Sequence, residues 1–547
     1  MSLDDRIVGL AHHARLFPEK PALIADSAVC TYGALNARVN QLARALRRAG
    51  IGVGDAVAAV LDNCCEWFEL LNAAGKIGAQ LVPVGYRLEA PEIAYMVADS
   101  RAKLIVGAPL LRDEIDRALG PAAGVLSAGP LPDGSLRAAK SDRLAWPDDA
   151  LWVTGADRPW RGCSYEEALA AECAAEPDGG FTGGGFNVLV YTSGTTGRPK
   201  GIERPVDPAT AHHMLASVAD LWGFTADAVH LVAVPLYHTA PSSYGQMHLL
   251  IGATVVLMPH FDAAHALQLI ERHRVTNTFM VPTHFTRILQ LPAAERRHLD
   301  LSSLTLVLHS AAACPVHVKR QIIEVFPPGV VTEFYGASES GFTKISADEW
   351  LRKPGSVGRP WPLHEIRILD EQGRRCAPGE VGLIYVNSPR LGFHYRDAAE
   401  KNRSAFRDGF FTAGDLGYLD ADGYLFIADR RTDLIITGGA NVYPAEVEAV
   451  LMQHPQVADV AVIGVPDDEM GKFVLAVVEL RAGEHATAEE IIAFARGDLA
   501  HYKCPRRVEI VDHLPREPQG KVRKHELVAR YAATEESRDK THDASQN

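Results

Sequence analysis

The chain has 547 residues, too many for one ordinary hydrophobic core, so two or more domains are expected. Its 47% hydrophobic and 22% charged residues are those of a soluble globular protein. Fifty-five Lys and Arg against 68 Asp and Glu give a net charge of −13. That balance argues against nucleic acid or an anionic membrane as partner, but not against a small anion held by local amides and one or two cations.

The N-terminus, MSLDDRIVGLAHHARLF, lacks the basic start and apolar run of a signal peptide, and no stretch reaches about 18 apolar residues, so no transmembrane segment is expected. Eight Cys form no CxxC pair and no Cys/His set at zinc spacing, which suits reduced thiols in a cytoplasm. Thr31 is placed to cap a helix whose apolar stripe is Leu35, Val39, Leu42 and Leu46, closed by Gly50. DAVAAVL (55–61) follows as a buried strand. Short apolar runs recur at LIVG (104–107), NVLVY (187–191), HLVAV (230–234), ATVVLM (253–258), TFMV (278–281) and LTLVLH (304–309), most of them separated by helix-like stretches. Parallel strands covered on both faces read this way, so the fold class is α/β.

The span from about 108 to 185 has weaker periodicity and Gly/Pro clusters, and is expected to be a tolerant insert. A composition shift falls at 429–433. After it come a helix from Pro444 to about Gln453, strands at 457–465 and 473–480, a helix at 487–498 and a strand at 507–511, which together make a small α+β domain. The polar residues 534–547 are expected to be disordered.

YTSGTTGRPKG (191–201) has the chemistry of a phosphate-binding loop. Gly194 and Gly197 let the backbone turn its amides toward an anion, Thr192, Ser193, Thr195 and Thr196 offer hydroxyls, and Lys200 brings positive charge. A Walker loop would need Gly-Lys-Ser/Thr at its end; Pro199 and Gly201 break that pattern, so a P-loop NTPase is a poor match. A polar surface turn would carry one or two of these features rather than all of them.

The whole string resembles the signature loop of the adenylate-forming enzymes: acyl-CoA synthetases, aryl-CoA ligases, nonribosomal adenylation domains and firefly luciferase. Further stretches follow in the family's order. FYGASESG (334–341) is similar to its aromatic-Gly-x-Thr-Glu motif, with Ser338 for the usual Thr. The resemblance makes Glu339 the Mg²⁺ ligand and sets Tyr335 and Gly336 along adenine and substrate. FFTAGDLGYLDADGYLFIADR (410–430) resembles the ribose segment, which makes Asp415 the acceptor for both ribose hydroxyls and Arg430 its support; DADG (420–423) is a hairpin turn by its own chemistry. ADRRTDLIITGGANVYPAEVE (428–448) resembles the hinge and CoA-side loop. Thr432 stands where Asp or Lys is common, and Gly438 and Gly439 would let a pantetheine arm pass. LPREPQGKVRKHEL (514–527) resembles the catalytic C-terminal stretch, with Lys521 as the match and Gln519 where Ser or Thr is common. PLYHTAP (235–241) implies His238 beside the acyl group and the thiol path.

The resemblance covers about residues 10–530. It implies a large N-terminal domain of two α/β lobes plus a β-subdomain (1–428), a hinge (429–433) and a small mobile C-terminal domain (434–533). The implied activity is ATP-dependent ligation of a carboxylic acid to CoA through acyl-AMP, with Mg²⁺ as cofactor and ATP and CoA as co-substrates. Lys521 would serve the first half-reaction and leave for the second. VPTHFTRILQLP, LHSAAACPVHVKRQIIEVFPP and DEWLRKPGSVGRP look like bacterial fatty-acid, bile-acid and steroid side-chain CoA ligases. The implied acyl pocket is walled by Tyr244, His284, Ser310, Ala311, Ala312 and Gly336. An aryl acid, or a carrier-protein thiol as acceptor, stays open as an alternative, and a homodimer is compatible with everything above.

Overall fold

In the computed structural model the described residues are 9–26, 28–119, 151–155, 162–176, 187–192, 199–204, 208–388, 392–438, 440–467, 470–517 and 521–532. The chain divides into two compact units. One is built from Met1–Met280, Gln290–Leu308 and Gly392–Asn402, the other from Val281–Leu289, His309–Leu391 and Arg403–Asn547. The architecture is mixed α/β, with a large N-terminal domain and a small C-terminal domain.

The first unit holds a five-stranded parallel sheet in the order Gln80–Pro83, Ala56–Val60, Ala102–Gly107, Leu151–Val153 and Cys163–Ser164. Ala56–Val60 is buried at every position, as an unbroken apolar run at the centre of a parallel sheet requires. A second sheet orders Asn277–Met280, Val229–Val232, Thr254–Leu257 and Pro21–Ala25 in parallel, and Ala28–Thr31 closes it as an antiparallel edge. The helix Tyr32–Arg48 packs Leu35, Val39, Leu42 and Leu46 into the core, and the Thr31 hydroxyl caps it by accepting from Ala34 N at 3.3 Å. The insert expected over 108–185 needs correction. Leu151–Val153 and Cys163–Ser164 complete the first sheet, and the fully buried Tyr165 donates to Glu69 Oε2 at 2.8 Å.

The second unit holds the helices Pro282–Gln290 and Val316–Val325 and the antiparallel hairpin Val331–Ala337/Ser340–Ser346. A six-stranded antiparallel sheet follows, in which Asp415–Leu419 and Leu425–Arg430 are neighbours across the DADG turn. The small domain carries the helix Pro444–Leu451, the strands Val457–Asp467 and Gly471–Leu480, the helix Ala488–Asp498 and the strand Arg507–Val511, close to the sequence expectation. Val460, Val462, Val474, Ala476 and Val478 face the two helices, while Ile463, Leu475 and Val477 face Leu514, Leu527 and Tyr531. This alternation fits a sheet covered on both sides. Among the described residues no helix is long and apolar enough to cross a membrane.

Candidate functional site

In the second unit the strand Val331–Ala337 turns into Ser340–Ser346 through a register irregularity between Tyr335 and Gly336. A Cβ on Gly336 would lie 2.6 Å from Ser340 O and 2.8 Å from Gly341 Cα, so the hairpin closes this tightly only over glycine. The turn leaves Glu339 buried, with 7% of its surface accessible. Tyr335 reaches across and donates its hydroxyl to Asp415 Oδ2 at 2.6 Å. Burial, then the Asp415 charge, holds that phenol well above its ordinary range, so it stays a donor.

Asp415 opens its strand and is the register partner of Arg430 at the end of the next. The Arg430 Nε lies 3.3 Å from Asp415 Oδ1. Asp415 is buried to 7% exposure while the Arg430 side chain is 44% exposed, so a carboxylate at the base is met by a guanidinium at the mouth. Burial disfavours the Arg430 charge, but Asp415, Asp433, Tyr335 and Glu339 together outweigh it.

Lys521 arrives on a small hairpin. Glu517 N donates to Lys521 O at 2.7 Å, Arg523 N donates to Pro515 O at 2.8 Å, and Arg516 bridges with Val522. Arg516 locks this hairpin to the small domain's sheet through a two-pronged ion pair with Asp459 at 2.5 Å. Burial first and Arg430 second push the Lys521 amine below its ordinary range, against the pull of Glu517, Asp415 and Glu339. The structure therefore sets Tyr335 and Arg430 directly on Asp415, with Glu339 and the Lys521 amine within electrostatic reach, from three separate stretches of sequence. Ser338 lies within the same turn.

Of the six residues expected around the acyl group, five belong to this unit. His284 is buried on the helix Pro282–Gln290 and pushed down to about 3 by burial and then Arg287, so its imidazole is neutral. Ser310 is buried, Ala311 adopts φ 77, and Ala312 and Gly336 are half-buried. A non-glycine residue at positive φ is a strained backbone, and strain of this kind concentrates at ligand sites. Tyr244 belongs to the first unit. It is buried on the helix Thr239–Ile251, its ring 5.8 Å from Phe224 and 5.9 Å from Phe279. His238 stands at the N-cap position of that helix without a side-chain capping bond, half-buried, its ring 4.3 Å from Tyr237. Thr432 is exposed in the turn after Arg430, and its hydroxyl donates to Asp433 Oδ1 at 3.1 Å. Gly438 adopts φ 54 and donates its N–H to Met470 O at 2.9 Å; a Cβ there would meet Met470 Cε at 2.5 Å. Gly439 lies outside the described residues.

Ser193, Gly194, Thr195, Thr196 and Gly197 also lie outside them. Both flanks of their loop are described, in the first unit. Thr192 and Lys200 are register partners in an antiparallel pair, with Lys200 half-buried. Two residues that the sequence did not single out brace this base. Asp99 Oδ2 accepts from the Tyr191 hydroxyl at 2.7 Å, and Tyr95 donates to Pro199 O at 3.1 Å. Asp99 ends the helix Ala90–Asp99, where a carboxylate opposes the helix dipole; that misfit was the one available signal.

A model of the AMP-binding enzyme family matches residues 10–395, and a model of the AMP-binding enzyme C-terminal domain matches 446–521. A long-chain-fatty-acid–CoA ligase, FadD13 of Mycobacterium tuberculosis, is 33% identical over 92% of this chain and 93% of its own. A feruloyl-CoA synthase of an Amycolatopsis species is 34% identical over 95% and 97%. The solved structure of o-succinylbenzoate CoA synthetase (MenE) from Bacillus subtilis, in complex with its acyl-adenylate intermediate, superposes with a TM-score of 0.78 at 28% identity, over 95% of this chain and 97% of that one.

Proposed function

The chain belongs to the AMP-binding enzyme family and is an AMP-forming acid–thiol ligase; from that premise we propose that the cluster around Asp415 holds ATP and that Lys521 serves the adenylation half-reaction. Carboxylate and ATP are both anions, so the first step is limited by charge and position, and no protein nucleophile is needed. Asp415 accepts from the ribose hydroxyls while Tyr335 and Arg430 fix its two oxygens. Tyr335 and Gly336 flank adenine. The loop 192–197 and Lys200 cradle the phosphates. Lys521 bridges the attacking carboxylate and the α-phosphate as charge develops. Pyrophosphate leaves and acyl-AMP remains.

Glu339 suits Mg²⁺, because it is a buried hard-oxygen donor and Mg²⁺ accepts few protein ligands when phosphates supply the rest. Bound there, Mg²⁺ would neutralise phosphate charge. In the second half the small domain turns about Thr432 in the segment 429–433, between the domains 1–428 and 434–533. Lys521 leaves, and CoA enters along Gly438 and Gly439, with His238 beside the thiol path. The thiol, with an ordinary pKa near 8.5, attacks the mixed anhydride as thiolate and releases AMP.

The observation that carries this reading is the convergence of Tyr335, Glu339, Asp415, Arg430 and Lys521, with direct bonds from Asp415 to Tyr335 at 2.6 Å and Arg430 at 3.3 Å. The acid is of fatty or steroid/bile type, bound by Tyr244, His284, Ser310, Ala311, Ala312 and Gly336 in cytoplasmic fatty-acid metabolism. An aryl acid is the second reading, supported by the feruloyl-CoA synthase at 34% identity beside the fatty-acid ligase at 33%. Purified protein, MgATP and CoA, incubated with palmitate, cholate and ferulate and read by mass spectrometry, tests both readings. An acyl-CoA names the acid class. Acyl-AMP without acyl-CoA points to a carrier-protein thiol, and no product from any acid defeats the proposal.

A further inference from the structure

Asp429 is a buried carboxylate that none of the steps above uses. It sits next to the end of the strand Leu425–Arg430, immediately before the turn through Thr432. Its Oδ1 accepts from the adjacent Arg430 N at 2.7 Å. Its Oδ2 accepts from Ala445 N at 2.9 Å, on the far side of that turn. Ala445 lies in the first turn of the helix Pro444–Leu451, whose own N-cap, Tyr443, makes no side-chain capping bond. Asp429 therefore caps this helix from 16 residues away.

A third element joins the contact. Lys524 pairs with Glu448, on the same helix, at 2.8 Å, and its charge faces Asp429. Glu448 Oε1 is held in turn by Val462 N at 2.8 Å. Lys524 lies three residues beyond Lys521, which in this arrangement faces Arg430, Asp415 and Glu339. Burial lifts the Asp429 carboxyl to about 6, with Lys524 and the two backbone N–H groups pulling it back down and Glu448 pushing it up. A buried carboxylate is costly unless its partners need it. Here one partner, Arg430 N, lies on the same strand, and the others, Ala445 N and the Lys524 charge, come from beyond the turn. In the reading above the chain turns about Thr432, which leaves Asp429 on its strand and carries Ala445, Glu448 and Lys524 away. The contacts of Asp429 with Ala445 and Lys524 are made in the same arrangement in which Lys521 feels the charges of Arg430, Asp415 and Glu339.

We propose that Asp429 is a positioning residue for the adenylation half-reaction: across the hinge, it latches the helix Pro444–Leu451 and Lys524, and so holds Lys521 beside Asp415 and Arg430. The proposal rests on the two-half-reaction reading above. Two states biased by one contact shift by the worth of that contact, and a hydrogen bond to a charged group corresponds to roughly tenfold or more.

The test uses the full chain and measures the halves separately, with palmitate, cholate and ferulate as probes. Acid-dependent exchange of labelled pyrophosphate into ATP reads adenylation. Transfer from presynthesised acyl-AMP to CoA reads the second half. D429N is expected to slow exchange about tenfold and to leave transfer unchanged or faster. K524M is expected to show the same split, and K524R to restore the wild-type ratio. Melting temperatures accompany each variant, and a fall that slows both halves equally marks a merely structural residue and overturns the proposal. Wild-type exchange rates in both D429N and K524M also overturn it. A wild-type protein with no exchange on any acid defeats the adenylation reading itself, and the latch with it.

Discussion

Asp415→Asn removes one anionic acceptor and little else. The Asp415 carboxylate has about four lone-pair positions. One takes the Tyr335 hydroxyl at 2.6 Å and another faces Arg430 Nε at 3.3 Å, which leaves two for the two ribose hydroxyls. Asn keeps a single acceptor oxygen, and its NH₂ either meets Arg430, donor against donor, or faces Tyr335, whose hydroxyl must then turn to accept. The site is buried to 7%, so water does not readily repair the mismatch. A hydrogen bond to a charged group contributes about 1.5–3 kcal/mol, so half-saturation by ATP should rise about 10- to 150-fold in pyrophosphate exchange. The sharper assay pairs the mutation with the substrate. Wild type should lose a comparable factor on 2′,3′-dideoxy-ATP, whereas D415N, which has already lost those bonds, should lose little more. The coupling is then about 1.5–3 kcal/mol. Independent, fully multiplying losses would refute a contact between Asp415 and ribose.

Lys521→Ala should reduce acyl-AMP formation by roughly 10²-fold or more and spare transfer from preformed acyl-AMP, which separate half-reaction assays resolve. Because burial and Arg430 hold the Lys521 amine below its ordinary range, the cation is lost on the alkaline side before an exposed lysine would lose it. Exchange in wild type should therefore fall below the ordinary lysine pKa of about 10.4, and Lys521→Arg should remove that limb from the pH profile. Glu339→Gln should raise the Mg²⁺ concentration needed for half-maximal exchange at fixed ATP; an unchanged Mg²⁺ titration would clear Glu339 of any metal role. Gly336→Ala should destabilise, because its Cβ would lie 2.6 Å from Ser340 O, a backbone atom that cannot step aside, and thermal melting reads this directly.

The small domain was legible almost to the residue, since its alternating Val-rich strands and the Thr487 capping box are local signals. The cluster around Asp415 was legible only through resemblance. Nothing in the spacing of Tyr335 and Asp415 tells that they meet; the fold decides it. The residues behind the site stayed hidden for the same reason. Tyr95 reads as an ordinary helix residue, Asp99 offers only its misfit with the helix dipole, and Asp429 reads as one more charge near a polar turn. The strand Leu151–Val153 stands in a stretch whose composition suggested an insert, but its three residues are buried in the five-stranded sheet. Three residues are too few to show a period.

Lys319 is the strongest case of concealment. It follows Val318 in the helix Val316–Val325 and reads as that helix's wet face, but it is fully buried, forms an ion pair with Glu333 and lies 4.8 Å from the centre of the Trp350 ring. Glu333 stands two residues before Tyr335, so the pair ties that helix to the strand that carries the site. Breaking a buried pair from one side costs about 3–5 kcal/mol, whereas replacing both partners by apolar groups is often close to neutral. Lys319→Met should therefore cost most of that range in urea unfolding, and Lys319→Met with Glu333→Leu should recover most of it. Equal losses in the single and double variants would show that shape, not charge, matters there. The pH dependence gives a second check. Burial already lifts Glu333 above the ordinary carboxyl range, with Lys319 opposing. Without Lys319 the folded-state value rises further while the unfolded value stays near 4.3. The folded protein then holds a proton that the unfolded chain has released, so stability is lost as pH rises from the unfolded value through the folded one. His309, whose Nε2 lies 3.8 Å from Glu333 Oε2, is held neutral by burial and then by Lys319, so removing Lys319 also relaxes one restraint on its protonation. Both effects favour the variant at low pH. Its urea midpoint should approach wild type near pH 4.5 and fall away from it by pH 8; parallel curves would mean that Glu333 finds another partner.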